Sequence, residues 1–79
     1  MDKVDMERAW ANRVQRFLKA ELKRAEVTYS ELVCRLGEHG LEETEVSVAS
    51  KLSRGTFAAT FFLAAMKAIG AEHVQLEDV

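Results

Sequence analysis

The stretch that decides the fold is KLSRGTFAATFFLAAMKAIG, residues 51–70. All but two of the residues from 57 to 69 are apolar, so this segment must be largely buried. Its pattern predicts a helix over residues 56–69 that ends at Gly70, with apolar side chains on more than one face. A helix of that kind is either central in a fold or shared with a second subunit. We therefore expect it to form the centre of the domain.

Residues 6–25 have the spacing of an amphipathic helix. The apolar positions recur at helical intervals and are Trp10, Val14, Phe17, Leu18, Leu22 and Ala25. The opposite face is basic and carries Arg13, Arg16, Lys19 and Lys23. This face is either an ordinary solvated surface or an auxiliary contact for a polyanion.

Two shorter helices are predicted between these segments. Thr28 and Glu31 form a capping box, in which the threonine hydroxyl accepts from the Glu31 amide and the carboxylate reaches back. Glycines at 37 and 40 end this second helix. A third helix is predicted over residues 43–54. With no proline in the chain, four helices joined by short turns are expected.

Length and composition indicate one soluble domain over residues 1–79. Apolar residues make up 48% and charged residues 30%, which is typical of a globular chain rather than a disordered one. The single cysteine, Cys34, fits a reducing compartment. The acidic, polar start is not a secretory signal, and the longest apolar run is shorter than the roughly 20 residues of a membrane helix. The sequence predicts a cytoplasmic protein without a membrane partner.

Catalytic and metal-binding patterns are missing from the sequence. His39 and His73 have no metal-ligand spacing, and Cys34 has no partner at a recognised spacing. The glycines form no phosphate-cradling loop. We expect no enzymatic activity, no metal and no cofactor, and we infer no small-molecule substrate.

Polar residues stand directly before the last helix, where Lys51, Ser53, Arg54, Gly55 and Thr56 follow one another closely. Gly55 can take the left-handed conformation that ends the third helix, and Thr56 can cap the fourth. The free amides of that cap and the two cations would attract a phosphate. Two interpretations stay open: an ordinary helix junction or an anion-binding site.

Two segments carry a resemblance to a known class. VTYSELVCRLG, residues 27–37, resembles helix two and the turn of lambda-repressor/Cro-like helix-turn-helix domains, and ASKLSRG, residues 49–55, resembles their third helix. KLSRGTF with the later Phe-Phe and Ala-Ile-Gly is similar to a small bacterial family of unknown function, over about residues 8–77. The resemblance implies an all-α, compact four-helix helix-turn-helix-like domain, and the alternating C-terminal residues 73–77 add a short C-terminal strand to this prediction.

The helix-turn-helix resemblance implies that the domain binds double-stranded DNA through its third helix. The residues implied for base edges are Thr44, Ser47 and Ser50, those for phosphates are Lys51 and Arg54 with the helix start at Thr56, and the auxiliary contacts from the first helix are Arg13 and Arg16. An alternative is a protein-interaction module that keeps the scaffold without binding nucleic acid. Glu42, Glu43 and Glu45 favour that alternative, since carboxylates at the start of the third helix repel phosphate.

The C-terminal segment predicts an assembly. Residues 73–77 alternate polar and apolar, which is the period of a half-buried strand. Such a strand pairs with that of a second copy, folds back onto the N-terminal residues near Val4, or stays extended and loose. Leu63 is the apolar side chain of the last helix that is hardest to bury within one chain. These features predict a homodimer.

Overall fold

Four α-helices and one short 3₁₀ helix make up residues 3–79, the part of the chain that the computed structural model describes. The helices are α1 (Lys3–Ala25), α2 (Tyr29–Glu38), α3 (Glu45–Arg54) and α4 (Ala59–Ala68), followed by the 3₁₀ helix Leu76–Asp78. Residues 3–79 contain no β-strand. The all-α prediction is therefore confirmed, and the predicted C-terminal strand is wrong.

The core draws side chains from all four α-helices. α3 packs against both α1 and α2, and α2 also packs against α4. The buried cluster comprises Phe17, Leu18, Leu22, Val27, Leu32, Leu36, Val48, Leu52, Phe61, Ala65 and Met66. α4 buries one side on this cluster and exposes Thr60, Leu63 and Lys67. The sequence predicts a central fourth helix, and in the structure α4 packs on α2, its Phe62 ring lies 6.2 Å from that of Phe17 in α1, and its Phe61 ring lies 4.9 Å from Lys51 Nζ in α3.

α1 is much longer than its neighbours. Its 23 residues span about 34 Å, whereas the three other α-helices have 10 residues each. Phe17, Leu18 and Leu22 are buried as predicted, but Trp10 is 55% exposed. The first buried residue of α1 is Ala11, so the helix extends past the body of the domain on its N-terminal side. None of the helices in residues 3–79 is both long and apolar enough to cross a membrane.

The start of α2 follows the predicted cap in part. The Thr28 hydroxyl accepts a hydrogen bond of 3.1 Å from the Glu31 amide. The Glu31 carboxylate does not reach back, since it pairs with Arg35 at 2.8 Å one turn later. Arg35 also donates to the main-chain oxygen of Ala68, which ties α2 to the end of α4.

α4 begins later than the sequence predicted. Its N-cap is Ala58, which makes no side-chain cap bond, so the predicted capping role of Thr56 is wrong. The reason is aromatic packing in the preceding segment. The Phe57 ring lies edge-on to Phe61 at 5.2 Å and stacks on Phe62 at 6.3 Å. Residues 56–58 remain non-helical because Phe57 reaches the core from there.

The C-terminal segment folds back onto α1. Val74 and Val79 pack against the core cluster, whereas Leu76 is 82% exposed. Arg13 donates from Nε and Nη2 to the main-chain oxygen of Val79, at 3.2 and 2.8 Å. The segment therefore takes its partner from a side chain of α1 rather than from a strand edge, and the alternating pattern does not form a buried face.

Candidate nucleic-acid interface

The end of α3 packs closely against α1 at Gly55. It caps α3 in the left-handed conformation, with φ of 71°, as the sequence predicted. A Cβ atom at this position would lie 2.7 Å from the carbonyl carbon of Ala11 and closer still to its oxygen. Only glycine permits this approach of two backbones. As a result Arg54, the last residue of α3, is held beside the N-terminal half of α1.

A cleft of about 490 Å³ opens at this junction, and we call it the α1–α3 cleft. Its polar lining comes from both elements and consists of Glu7, Arg8, Asn12, Ser53, Arg54 and Thr56. Arg54 is exposed and donates from Nη1 to the Ser50 hydroxyl at 2.9 Å. Two arginines from distant parts of the chain thus meet in one open cleft, with Glu7 as the opposing charge.

The solvent face of α1 carries a row of cations. Arg8, Arg16, Lys19 and Lys23 are all exposed, and their spacing places them on one side of the helix. We call these four residues the basic stripe. The stripe reaches the α1–α3 cleft at Arg8, so the charge of Arg54 extends it onto α3. Arg13 lies beside the stripe, where its guanidinium covers the Trp10 ring at 4.2 Å.

The start of α3 uses two predicted contact residues internally. The Thr44 hydroxyl accepts from the Ser47 amide at 3.0 Å, and the Ser47 hydroxyl accepts from the Thr44 amide at 2.8 Å. The Ser47 hydroxyl also lies 2.6 Å from a carboxylate oxygen of Glu43. The resemblance assigned Thr44 and Ser47 to base edges, but their hydroxyls stabilise the helix start instead.

Lys51 is paired within the domain. Its Nζ donates to Glu43 Oε2 at 2.5 Å and lies 4.9 Å from the centre of the Phe61 ring. The Glu43 side chain is only 9% exposed. This arrangement neutralises the cation that the sequence assigned to a phosphate. Glu43 lies outside α3, in the turn before it, so helical spacing could not reveal the pair.

The pKa of Glu43 lies below its ordinary value. Burial of the carboxyl raises the pKa, but hydrogen bonds from Lys51 and Ser47 and the positive charge of Lys51 outweigh that effect. A depressed pKa in the folded state means that ionised Glu43 contributes stability above its unfolded pKa. This contribution is lost as the pH falls through the folded pKa.

We expect Glu43→Gln to flatten the acid limb of the stability profile. The free energy of unfolding of the wild type should fall below about pH 4.5 more steeply than that of the variant, because only the wild type loses an ion pair there. At neutral pH the variant should be less stable by about 1–3 kcal/mol, since Lys51 is left without its partner. Urea unfolding from pH 3 to pH 7 measures both effects. Parallel acid limbs for the two proteins would contradict the role of the pair.

The other predicted contact residues divide into two groups. Arg54 and Thr56 line the α1–α3 cleft, with Ser50 bonded to Arg54, and Arg16 belongs to the basic stripe. Arg13 instead donates to the main-chain oxygen of Val79.

Sequence reasoning did not select Arg8, although its two-turn spacing from Arg16 was a usable signal. In residues 3–79 no three histidine, cysteine, aspartate or glutamate side chains come together as metal ligands.

These features define a small all-α domain with a long basic first helix, which contacts the end of the third helix at a position that only glycine permits. The chain belongs to the family described as a domain of unknown function (DUF6471), whose family model matches residues 10–74. This agrees with the resemblance to a family of unknown function. Neither a curated protein nor a solved structure matches the chain.

Proposed function

We propose that this domain binds double-stranded DNA, as the helix-turn-helix resemblance implied, chiefly through phosphate contacts from the basic stripe and Arg54. The observation that carries the proposal is the meeting of Arg8 and Arg54 in the α1–α3 cleft. It makes the cations of α1 and α3 parts of one surface. Phosphate contacts by arginine and lysine supply most of the non-specific affinity of DNA-binding proteins.

The dimensions of the stripe suit a DNA backbone. From Arg8 to Lys23 it extends about 22 Å along α1, which covers several phosphates spaced about 3.4 Å apart along the axis of one strand. α3 has a supporting part in this proposal. Ser50 and Arg54 are exposed there, but Thr44 and Ser47 are engaged in the cap. We therefore propose backbone contacts with little base readout.

Removing a cation of this surface should weaken the salt dependence of binding. We expect Arg8→Ala and Arg54→Ala each to reduce the slope of log affinity against log salt by about 0.9, because each loses one phosphate contact. Fluorescence anisotropy with a labelled duplex, between about 50 and 200 mM salt, measures the slope.

The matched control is Lys67→Ala, which removes one exposed positive charge from the outer side of α4. It should leave the slope unchanged, since Lys67 belongs to neither the stripe nor the cleft, provided that sedimentation shows the same oligomeric state for this variant and the wild type. Equal effects of all three variants would mean that net charge alone decides binding. Absence of binding by the wild type at low salt would sink the DNA proposal.

A second candidate function is a protein-interaction module on the same scaffold. One observation favours it: Val46 is 79% exposed in the first turn of α3, and the exposed acids Glu42 and Glu45 precede it in the chain. An exposed apolar side chain at an acidic helix start suits a basic protein surface better than a phosphate backbone. In this case duplex DNA is ignored at low salt, and Val46→Asp disrupts binding of the protein partner.

We also propose that the protein forms a homodimer through the outer side of α4. The support is Leu63, which is 63% exposed. The C-terminal segment does not contribute to this proposal, since it folds onto α1 of its own chain. A cytoplasmic location likewise stays a prediction, with which the exposed free thiol of Cys34 is compatible.

Sedimentation tests the homodimer. The full chain should sediment as a dimer at tens of micromolar, and Leu63→Glu should make it a monomer, because a charge cannot be buried at an apolar contact without a partner. Ser30→Glu, at an exposed position on α2, should leave the dimer intact. A monomeric wild type at that concentration contradicts the proposal.

A further inference from the structure

The C-terminal segment, residues 71–79, is called the tail, and its last residues form one wall of a groove on the side of α1. The groove is lined by Arg13, Arg16, Phe17 and Arg24 of α1, and by Asp78 and Val79 of the tail. Arg13 directs two N–H groups at a single main-chain oxygen, that of Val79. We call this place the Arg13 groove. It adjoins the basic stripe, because Arg16 belongs to both.

The charges of the two sides are opposite. The tail carries Glu72, Glu77 and Asp78, all exposed, and neither lysine nor arginine. The α1 side carries three arginines against Glu21, which pairs with Arg24 at 2.8 Å. An acidic segment laid against a basic groove lowers the positive potential that an approaching polyanion meets. The tail thus places its acids beside the part of α1 that continues the proposed DNA surface.

We propose that the Arg13 groove is a phosphate site and that the tail is its built-in competitor. This inference rests on the DNA binding proposed above. The fork of Arg13 holds one oxygen of Val79 in the manner in which a guanidinium holds a phosphate oxygen. Binding of DNA exchanges the Val79 oxygen for a phosphate oxygen, and the tail leaves the groove.

The contacts that hold the tail on α1 are weak enough to permit this exchange. The two hydrogen bonds of Arg13 are exposed to solvent, where such charged contacts contribute little. The apolar contacts of the tail are made by half-buried Val74 and Val79, whereas Leu76 is exposed to solvent. The main-chain bonds within the tail are those of the 3₁₀ turn, from the amides of Asp78 and Val79. A polyanion that offers several phosphates can therefore displace it.

Charge neutralisation of the tail tests the competitor. The double variant Glu77→Gln with Asp78→Asn keeps the Val79 contacts but removes two acids from the tail. The control, Glu26→Gln with Glu38→Gln, removes two exposed acids from other parts of the chain. The tail variant should bind a labelled duplex about three- to tenfold more tightly at low salt and increase the salt slope by about one. The control should show a smaller gain in affinity and the wild-type slope.

A second readout follows the tail itself. Adding duplex to the wild type should accelerate hydrogen exchange of the Asp78 and Val79 amides, whose bonds belong to the 3₁₀ turn. Equal effects of the two double variants, or unchanged exchange in a protein that does bind DNA, overturn the competitor but leave the DNA proposal in place. If neither the wild type nor the tail variant binds duplex, both proposals fail. Thermal unfolding of each variant checks that the fold is intact.

Discussion

Gly55→Ala is expected to unfold most of the protein at room temperature. The new Cβ would lie within 2.7 Å of the Ala11 carbonyl carbon, and the obstructing atoms are backbone atoms of a helix, which cannot rotate away. The residue must also hold a φ of 71°, which alanine disfavours by about 1–2 kcal/mol. Together these effects should exceed about 4 kcal/mol, a large part of the stability of so small a domain. Circular dichroism and urea unfolding measure the loss.

Substitutions at two other glycines separate the steric contribution from the backbone contribution. Gly40 also has a positive φ, of 87°, but a Cβ there meets nothing within 4 Å, so Gly40→Ala should cost only the backbone term of about 1 kcal/mol. Gly37 lies inside α2 with open space around it, and Gly37→Ala should stabilise the domain by about 0.5–1 kcal/mol. If Gly55→Ala were no worse than Gly40→Ala, α1 and α3 would not meet at this point.

The sequence predicted the local conformation of Gly55 but not its tertiary contact. An Arg-Gly pair at the end of an amphipathic segment indicates a left-handed helix cap, and the structure has one. The approach to Ala11 depends on how α1 crosses α3, which no local pattern records. For the same reason Arg8 was missed, because its place in the α1–α3 cleft follows from that crossing.

The apolar periodicity of α1 predicted burial correctly only for the part of the helix that packs against other elements. Phe17, Leu18 and Leu22 are buried because α1 packs against the rest of the domain there. Trp10 continues the same apolar spacing but precedes Ala11, the first buried residue of α1, and remains largely exposed. A hydrophobic pattern shows which side of a helix faces a core, whereas the end of that core is set by the lengths of the other elements.

The two cations near the end of α3 differ in their electrostatic surroundings. By residue type Lys51 and Arg54 looked equivalent, as two cations near the end of one helix. In the structure Lys51 is paired with largely buried Glu43, whereas Arg54 is exposed and donates to the neutral Ser50. The pair arises because the turn before α3 carries Glu43 back along the helix to Lys51. Arg54 is therefore the cation of α3 that is free to meet a phosphate.

Phe61→Ala is expected to be the most damaging truncation in α4. The ring is 2% exposed, and it contacts Phe57 edge-on at 5.2 Å. Removing a fully buried ring leaves a cavity and costs about 3–5 kcal/mol. The ring also lies beneath the Lys51 ammonium, so the Lys51–Glu43 pair loses its apolar support. Urea unfolding should show a lower midpoint with a similar slope.

Two variants of the same helix calibrate that result. Thr60→Ala, at an exposed neighbouring position, should change the free energy of unfolding by less than about 0.5 kcal/mol. Phe61→Leu keeps much of the buried volume and should cost clearly less than Phe61→Ala. A domain of this size has a stability on the order of 4–12 kcal/mol, so the alanine variant should stand close to its unfolding transition. A cost below about 1.5 kcal/mol would place the Phe61 ring outside the core, and the packing of α4 on α2 described above would then be wrong.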